Sequence, residues 1–249
     1  MELFFSKYID KDHIILSNDE YRHCVKVKRH TISDKLNIID GSGKLYQGII
    51  TEIKKNEVIL QVINISELSS TASKKMVCIA PTKNIDRMEW FVEKSVEIGI
   101  DEIGIVFTER TERSVIKPER IEKIIISAMK QSLNIRMPSV IIHNCLQDLL
   151  VHYADVPQKF IAHGHENAPQ LLDMLTEDQN SLVVIGPEGD FTTKEIQSAK
   201  EQGYSICSLG TSRLRTETAG VVAITLMNQV PALKNQAFEL TKTTISNNQ

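Results

Sequence analysis

Apolar positions early in the chain come in short runs: residues 36–64 read LNIID, KLYQGIITEI and EVILQVIN, separated by GSG and KKN. Runs rich in β-branched residues, partly alternating as in Ile59, Gln61 and Ile63, predict a meander of a small β-barrel or sheet. Residues 66–75 are polar without apolar periodicity and read as a linker. Beyond it the rhythm changes. Apolar segments at 76–80, 103–107, 140–142, 160–162, 182–186 and 205–210 alternate with amphipathic stretches. That alternation predicts an α/β domain with a mainly parallel sheet covered on both faces. Helices are expected after the first and second segments, between 160–162 and 182–186, and again before 205–210. The chain thus divides into a small β-barrel at 1–70 and an α/β domain at 71–249.

Several helix ends are written in the sequence. Asp86 with Glu89 fits a capping box, Met88, Phe91, Val92 and Val96 share one face, and Gly99 supplies a left-handed stop. Pro118 suits a first helical position ahead of Ile121, Ile124, Ile125, Ala128 and Met129. Thr192 with Glu195 repeats the capping box before Gly203, and Thr216 is the expected cap of a last helix through Ala219, Val222, Ala223 and Leu226. The polar tail at 241–249 is expected to fray.

With 41% hydrophobic and 24% charged residues the chain is a globular protein, and 5% aromatic residues argue against an extended base-stacking platform. No apolar run approaches the roughly 18 residues of a membrane helix, and charges in MELFFSKYIDKDH interrupt any signal peptide. A cytoplasmic protein is expected. Cys24, Cys78, Cys145 and Cys207 form no metal-spaced pair and read as buried hydrophobes, so no metal is expected. The net charge of −3 is uneven: residues 137–249 carry 7 basic and 12 acidic side chains, whereas 71–136 carry 12 and 10. A polyanion would therefore face the first half. Its densest basic segment holds Arg22, His23, Lys26, Lys28 and Arg29, with Arg87, Arg110 and Arg113 extending it. Alternating lysines also fit the solvated face of an edge strand.

The phosphate loop of nucleotide triphosphatases, the dinucleotide fingerprint, the zinc-protease motif and the serine-esterase elbow are all missing. Candidate chemistry gathers near the carboxyl end. Gly186, Pro187, Glu188, Gly189 and Asp190 follow an apolar strand directly, where open α/β sheets bind ligands. Arg213, Arg215 and Glu217 crowd the loop between a strand ending at Leu209–Gly210 and the last helix. An ordinary βα turn and a surface Arg215–Glu217 pair are the plainer readings of these segments.

GPEGD at 186–190 together with LGTSRLRTETA at 209–219 resembles the RsmE family, bacterial methyltransferases of the SPOUT superfamily that methylate N3 of a uridine in small-subunit ribosomal RNA. The resemblance extends through PTKNIDRMEWFVEKSVEIGIDEI (81–103), TERTERS (108–114) and RHCVKVKRHTISD (22–34). It implies a PUA-like barrel followed by a SPOUT α/β domain with a carboxyl-terminal trefoil knot. It also implies S-adenosylmethionine as cofactor, no metal, 16S rRNA in the small subunit as partner, and a homodimer, for which the helix at 218–230 is suited. Carried onto this chain, the cofactor would lie among Ala162, His163, Ile185, Gly186, Pro187, Glu188, Gly189, Leu209, Gly210, Leu214, Arg215, Thr216, Glu217 and Ala219. Arg215 would stabilise charge on the uracil oxygens, Glu217 would orient that arginine or accept a hydrogen bond, and Glu188 is a second candidate acid or base. The chain departs from the family pattern at Asp190 and Leu133, where glycine is common, and at Asn134, where arginine is expected; Arg136 and Pro138 are retained. A related enzyme modifying another RNA nucleotide, or a non-catalytic RNA-binding assembly protein, are the alternatives.

Overall fold

A computed structural model describes residues 1–68, 73–113, 115–164 and 168–229. The chain forms two compact units, one built from Met1–Ser70 with Glu122–Met137 and the other from Thr71–Ile121 with Pro138–Gln249. Residues 122–137 thus group with the amino-terminal unit, an assignment that no break in composition announces.

The first unit holds a six-stranded sheet in the order β1-β4-β5-β6-β3-β2, from β1 (Leu3–Phe5), β2 (Tyr8–Ile9), β3 (His13–Ser17), β4 (Lys35–Ile39), β5 (Lys44–Ile53) and β6 (Glu57–Glu67). The expected meander is β4-β5-β6, antiparallel throughout. β1 and β2 occupy opposite edges yet are joined by only Ser6 and Lys7, a connection too short to cross a flat sheet, so the sheet curls back on itself. Ser6 fastens the curl: its N–H donates to the Ile39 carbonyl at 3.0 Å and its Oγ to the Ile15 carbonyl at 2.7 Å. Phe4, Ile14, Leu16, Ile38, Val58 and Leu60 fill the interior. Residues Arg22–Val27 form a π-helical turn after the short helix α1 (Asn18–Tyr21). The edge-strand reading of the alternating lysines is therefore corrected: Val25 and Val27 interleave them, but Cys24 is the residue buried in this turn.

The second unit carries six strands, β7 (Lys75–Ile79), β8 (Glu102–Val106), β9 (Ser139–His143), β10 (Gln158–Ala162), β11 (Ser181–Ile185) and β12 (Ser205–Cys207), all parallel, in the order β12-β10-β11-β7-β8-β9. α2 (Ile85–Ile98) buries Met88, Phe91, Val92 and Val96 as expected and stops at Gly99, φ 97°. Its cap is Asn84, whose side chain accepts from Asp86 N at 3.0 Å; the Asp86–Glu89 box does not form. α3 (Pro118–Ser132) begins at the proline. α4 (Leu146–His152) has no counterpart among the expected helices, although Leu146, Leu149, Leu150 and Tyr153 repeat at helical spacing in the sequence and are buried. The helix expected between β10 and β11 is one turn, α5 (Leu171–Met174). α6 (Thr193–Glu201) has the capping box of Thr192 and Glu195. The last helix, α7, covers residues 216–229. The Arg215 carbonyl accepts from Ala219 N at 2.8 Å, so the cap position belongs to Arg215, and buried Thr216 is already helical. Gly220 lets α7 lie against α2, since a side chain there would overlap the Phe91 ring. Cys24, Cys78 and Cys207 are buried as expected, but Cys145, preceding α4, is exposed. The tail expected to fray and residue 230 lie outside the described residues.

Candidate active site

Four strands end at one level. Ala162 of β10 pairs with Ile185 of β11 and with Cys207 of β12, and Ile185 pairs with Ile79 of β7. The chain reverses its direction of sheet growth here, running outward through β8 and β9 and then returning to β10 on the far side of β7. At such a switch point the loops leaving the carboxyl ends diverge and open a crevice. A cavity of about 980 Å³ fills it, walled by the loops after β10, β11 and β12.

Every residue expected at the cofactor lines this cavity except Gly189 and Glu217, and Arg87, Gly164, Gln170, Asp190 and Ser208 join them. The loops brace one another. Ser208 N donates to the Pro169 carbonyl at 2.8 Å and Leu171 N to the Ser208 carbonyl at 2.9 Å. His163 Nδ1 lies 2.7 Å from Asp190 Oδ2. Glycine is required twice for different reasons: at Gly186 a side chain would press on the Phe191 ring, 3.0 Å away, whereas at Gly210, φ 133°, it would enter open space.

The side chains expected at the site have these partners. Glu188 is exposed, lines the cavity and accepts the Lys83 backbone N–H at 3.0 Å. Arg110 donates to the Gly189 carbonyl at 2.6 Å, and Arg113 Nη2 to the Lys83 carbonyl at 2.9 Å, so both guanidiniums bond to turn carbonyls. Glu217 is buried, and its ion-pair neighbour is Arg87, with Oε1 3.7 Å from Nε; the surface pair with Arg215 does not form. Arg215 is exposed and lines the cavity. In the first unit, His23 and Lys28 both meet Glu2, at 3.1 and 2.9 Å, while Arg22, Lys26 and Arg29 are exposed cations outside those two pairs. These two pairs also hold the Glu2 carboxyl below its usual range, against the opposing push of partial burial. Lys130 is paired with Glu20 at 2.6 Å, and Arg136 donates to the Leu68 carbonyl at 3.3 Å.

Residues 69–228 match the RNA methyltransferase domain family, and residues 16–63 the RNA methyltransferase PUA domain. The chain belongs to the RsmE family of RNA methyltransferases. The ribosomal RNA small subunit methyltransferase E of Bacillus subtilis is 26% identical over 230 residues, 86% of this chain and 88% of the relative. A probable rRNA-methyltransferase from Porphyromonas gingivalis is 36% identical with a TM-score of 0.87, covering 94% of this chain and all of that one. The Neisseria gonorrhoeae ribosomal RNA small subunit methyltransferase E, solved bound to S-adenosylmethionine, is 26% identical with a TM-score of 0.78 over 92% of this chain and 98% of that one. In the RsmE frame, the cavity at the ends of β10, β11 and β12 is the candidate cofactor site of this chain. Among the described residues no cluster of side chains is arranged to hold a metal ion, and no helix is long and apolar enough to cross a membrane.

Proposed function

We propose that this RsmE-family protein methylates N3 of a uridine in 16S rRNA from S-adenosylmethionine, as a cytoplasmic homodimer acting on the assembled small subunit. The observation that carries the reading is the cavity at four aligned strand ends, walled by both turns that bear the family pattern. The site fits the cofactor: open space beside Gly164 and Gly210 leaves room along the backbone, and Leu209, Leu214 and Ala219 offer apolar surface for an adenine. The trefoil knot is part of this reading as the family implies it. The half-buried apolar residues Val221, Val222 and Leu226 on α7 support a subunit contact there.

When bound, S-adenosylmethionine supplies an electrophilic methyl group. The protein must hold the uracil ring against that group and favour the ring after N3 loses its proton, because the neutral imide nitrogen is a poor nucleophile. Arg215, a planar cation on the cavity wall, stabilises the negative charge that spreads onto the uracil oxygens. Glu217, buried behind the same loop beside Arg87, accepts a hydrogen bond from the RNA. Arg22, Lys26 and Arg29 bind RNA phosphates from the amino-terminal unit, as a PUA domain would.

Purified protein incubated with labelled S-adenosylmethionine and small subunits lacking the modification tests the reading. Label at N3 of one uridine is expected. Label at a different atom or nucleotide supports the related-enzyme alternative, and cofactor binding without transfer to any RNA supports the assembly protein.

A further inference from the structure

A second cavity, of about 620 Å³, lies beside the first in the same unit and is lined by Asp86, Arg87, Trp90, Glu217 and Thr218 together with the segment 213–215. Arg87, Arg213, Leu214 and Arg215 line both cavities, so a single side-chain layer separates them. Trp90 is the sole tryptophan of the chain and is 42% exposed, although its helix neighbours Met88, Phe91 and Val92 are wholly buried. A lone exposed aromatic is ordinary on a protein surface. This one forms the wall of a cavity that also holds three arginines and a buried carboxylate.

That carboxylate is the second observation. Glu217 is 6% exposed, its Oε2 has no hydrogen-bond partner among the described residues, and its Oε1 stands beyond hydrogen-bond reach of Arg87. A buried acceptor left unsatisfied is costly and rare in folded proteins, and a ligand N–H is one way to satisfy it. An indole face, an acceptor for a ring N–H and neighbouring guanidiniums together match one chemical class. A nucleobase has a flat π surface, a donor edge and carbonyl oxygens, and it arrives on a phosphate chain that arginine binds.

We infer that the cavity beneath Trp90 receives an unstacked pyrimidine next to the methylated uridine in the RNA substrate, which lies on the indole with its N–H edge toward Glu217 while the target base enters the cofactor cavity across the 213–215 segment. The inference rests on the uridine-methylation reading above and adds Trp90 as the residue that binds the base. Bases drawn out of a helix are commonly held this way, by stacking and by hydrogen bonds to the pairing edge. The small share of aromatic residues in the chain does not argue against it, since one unstacked base needs one platform.

Three measurements test the pocket. Steady-state methylation of small subunits by Trp90→Ala is expected to fall about 5–150-fold in kcat/KM, the loss typical of one base–aromatic stack. Trp90→Phe should recover most of it, while cofactor affinity and the thermal midpoint stay at wild-type values for both variants. Uridine 5′-monophosphate, titrated at millimolar concentration in the presence of cofactor, is expected to quench the tryptophan emission, and Glu217→Gln should weaken that quenching. Wild-type kcat/KM in Trp90→Ala together with emission unmoved by the nucleotide overturns the pocket. So does a loss of activity that tracks a change in sedimentation, because Trp90 would then serve a protein contact. If wild type methylates N3 and Trp90→Ala does so equally fast, only the pocket fails; if wild type methylates no uridine, the functional reading fails, whatever the emission does.

Discussion

Asp190 and His163 join the turn after β11 to the loop after β10, with Asp190 Oδ2 2.7 Å from His163 Nδ1. Asp190 stands in left-handed backbone, φ 59°, and its Oδ1 accepts from Phe191 N at 2.7 Å. Aspartate tolerates this region because its short carboxylate can bond to nearby backbone. The conformation explains why glycine is common here in the family. The departure exchanges conformational freedom for a side chain that ties two walls of the cofactor cavity together.

Leu133 is the contrasting case, since it also replaces a family glycine and has φ 61°, but it is 43% exposed and has no polar group to bond locally. Leu133→Gly should therefore stabilise the protein by about 0.5–1 kcal/mol, the relief of left-handed strain exceeding the added freedom of the unfolded chain. Asp190→Gly should give no such gain and should weaken cofactor binding. Thermal unfolding of both variants, with a cofactor titration of the second, checks the difference; equal stabilisation would remove any role for the Asp190 carboxylate.

Gly210→Val acts on the cofactor. A side chain at this position enters open space in the cavity, and φ 133° is unfavourable for any β-branched residue. Calorimetric titration with S-adenosylmethionine should show affinity reduced at least about tenfold, corresponding to about 1.4 kcal/mol. Wild-type affinity would place the cofactor elsewhere.

Arg215 is exposed and contributes its carbonyl to the first turn of α7. A side-chain change therefore leaves the helix cap intact. Arg215→Ala should slow single-turnover methyl transfer by about 10²–10³-fold, as loss of one preorganised donor does, with cofactor affinity and thermal stability near wild type. Arg215→Lys should recover little, because a point charge does not reproduce the planar fork. Equal losses in transfer and cofactor binding would make Arg215 a pocket-shaping residue.

The amino-terminal cations separate by their partners. Lys26, Lys28 and Arg29 are all exposed, but Lys28 is paired with Glu2 at 2.9 Å. Neutralising Lys26 and Arg29 together should flatten the salt dependence of small-subunit binding, with the log–log slope falling by roughly 0.7–0.9 for each phosphate that is no longer neutralised. Lys28→Ala should change the slope less. Matching slopes for all variants would move RNA docking to another surface.

His143 sets a pH limit on stability. Burial, aided by neighbouring His152, lowers its imidazole pKa below the ordinary 6.5, and its Nε2 is buried without a hydrogen-bond partner among the described residues. The unfolded chain then binds the proton more readily than the folded one. Its contribution is fully present above about pH 6.5 and is lost as pH falls toward the lowered folded value. Thermal midpoints recorded between pH 7.5 and 5 should decline less steeply in His143→Gln than in wild type.

Local signals in the sequence determined much of this protein. β-Branched runs fixed the β4-β5-β6 meander, helical spacing with Pro, Thr and Gly at the ends fixed α2, α3 and α6, and apolar strands in alternation fixed the parallel sheet. The turns at 186–190 and 209–219 were legible because their motif is contiguous and glycine, proline and arginine carry it. Only the tertiary structure decided the rest. Strand order is set by long-range pairing, so neither the curl fastened by Ser6 nor the grouping of 122–137 with the first unit has a local signature. Partners are likewise decided in space: Glu217 lies two residues from Arg215 but meets Arg87, because successive helical positions project in different directions and α7 is packed against α2. Trp90 stands out for the same reason. On the helix pattern alone it is one more apolar residue, and only the packing of its neighbours leaves its ring beside a buried carboxylate.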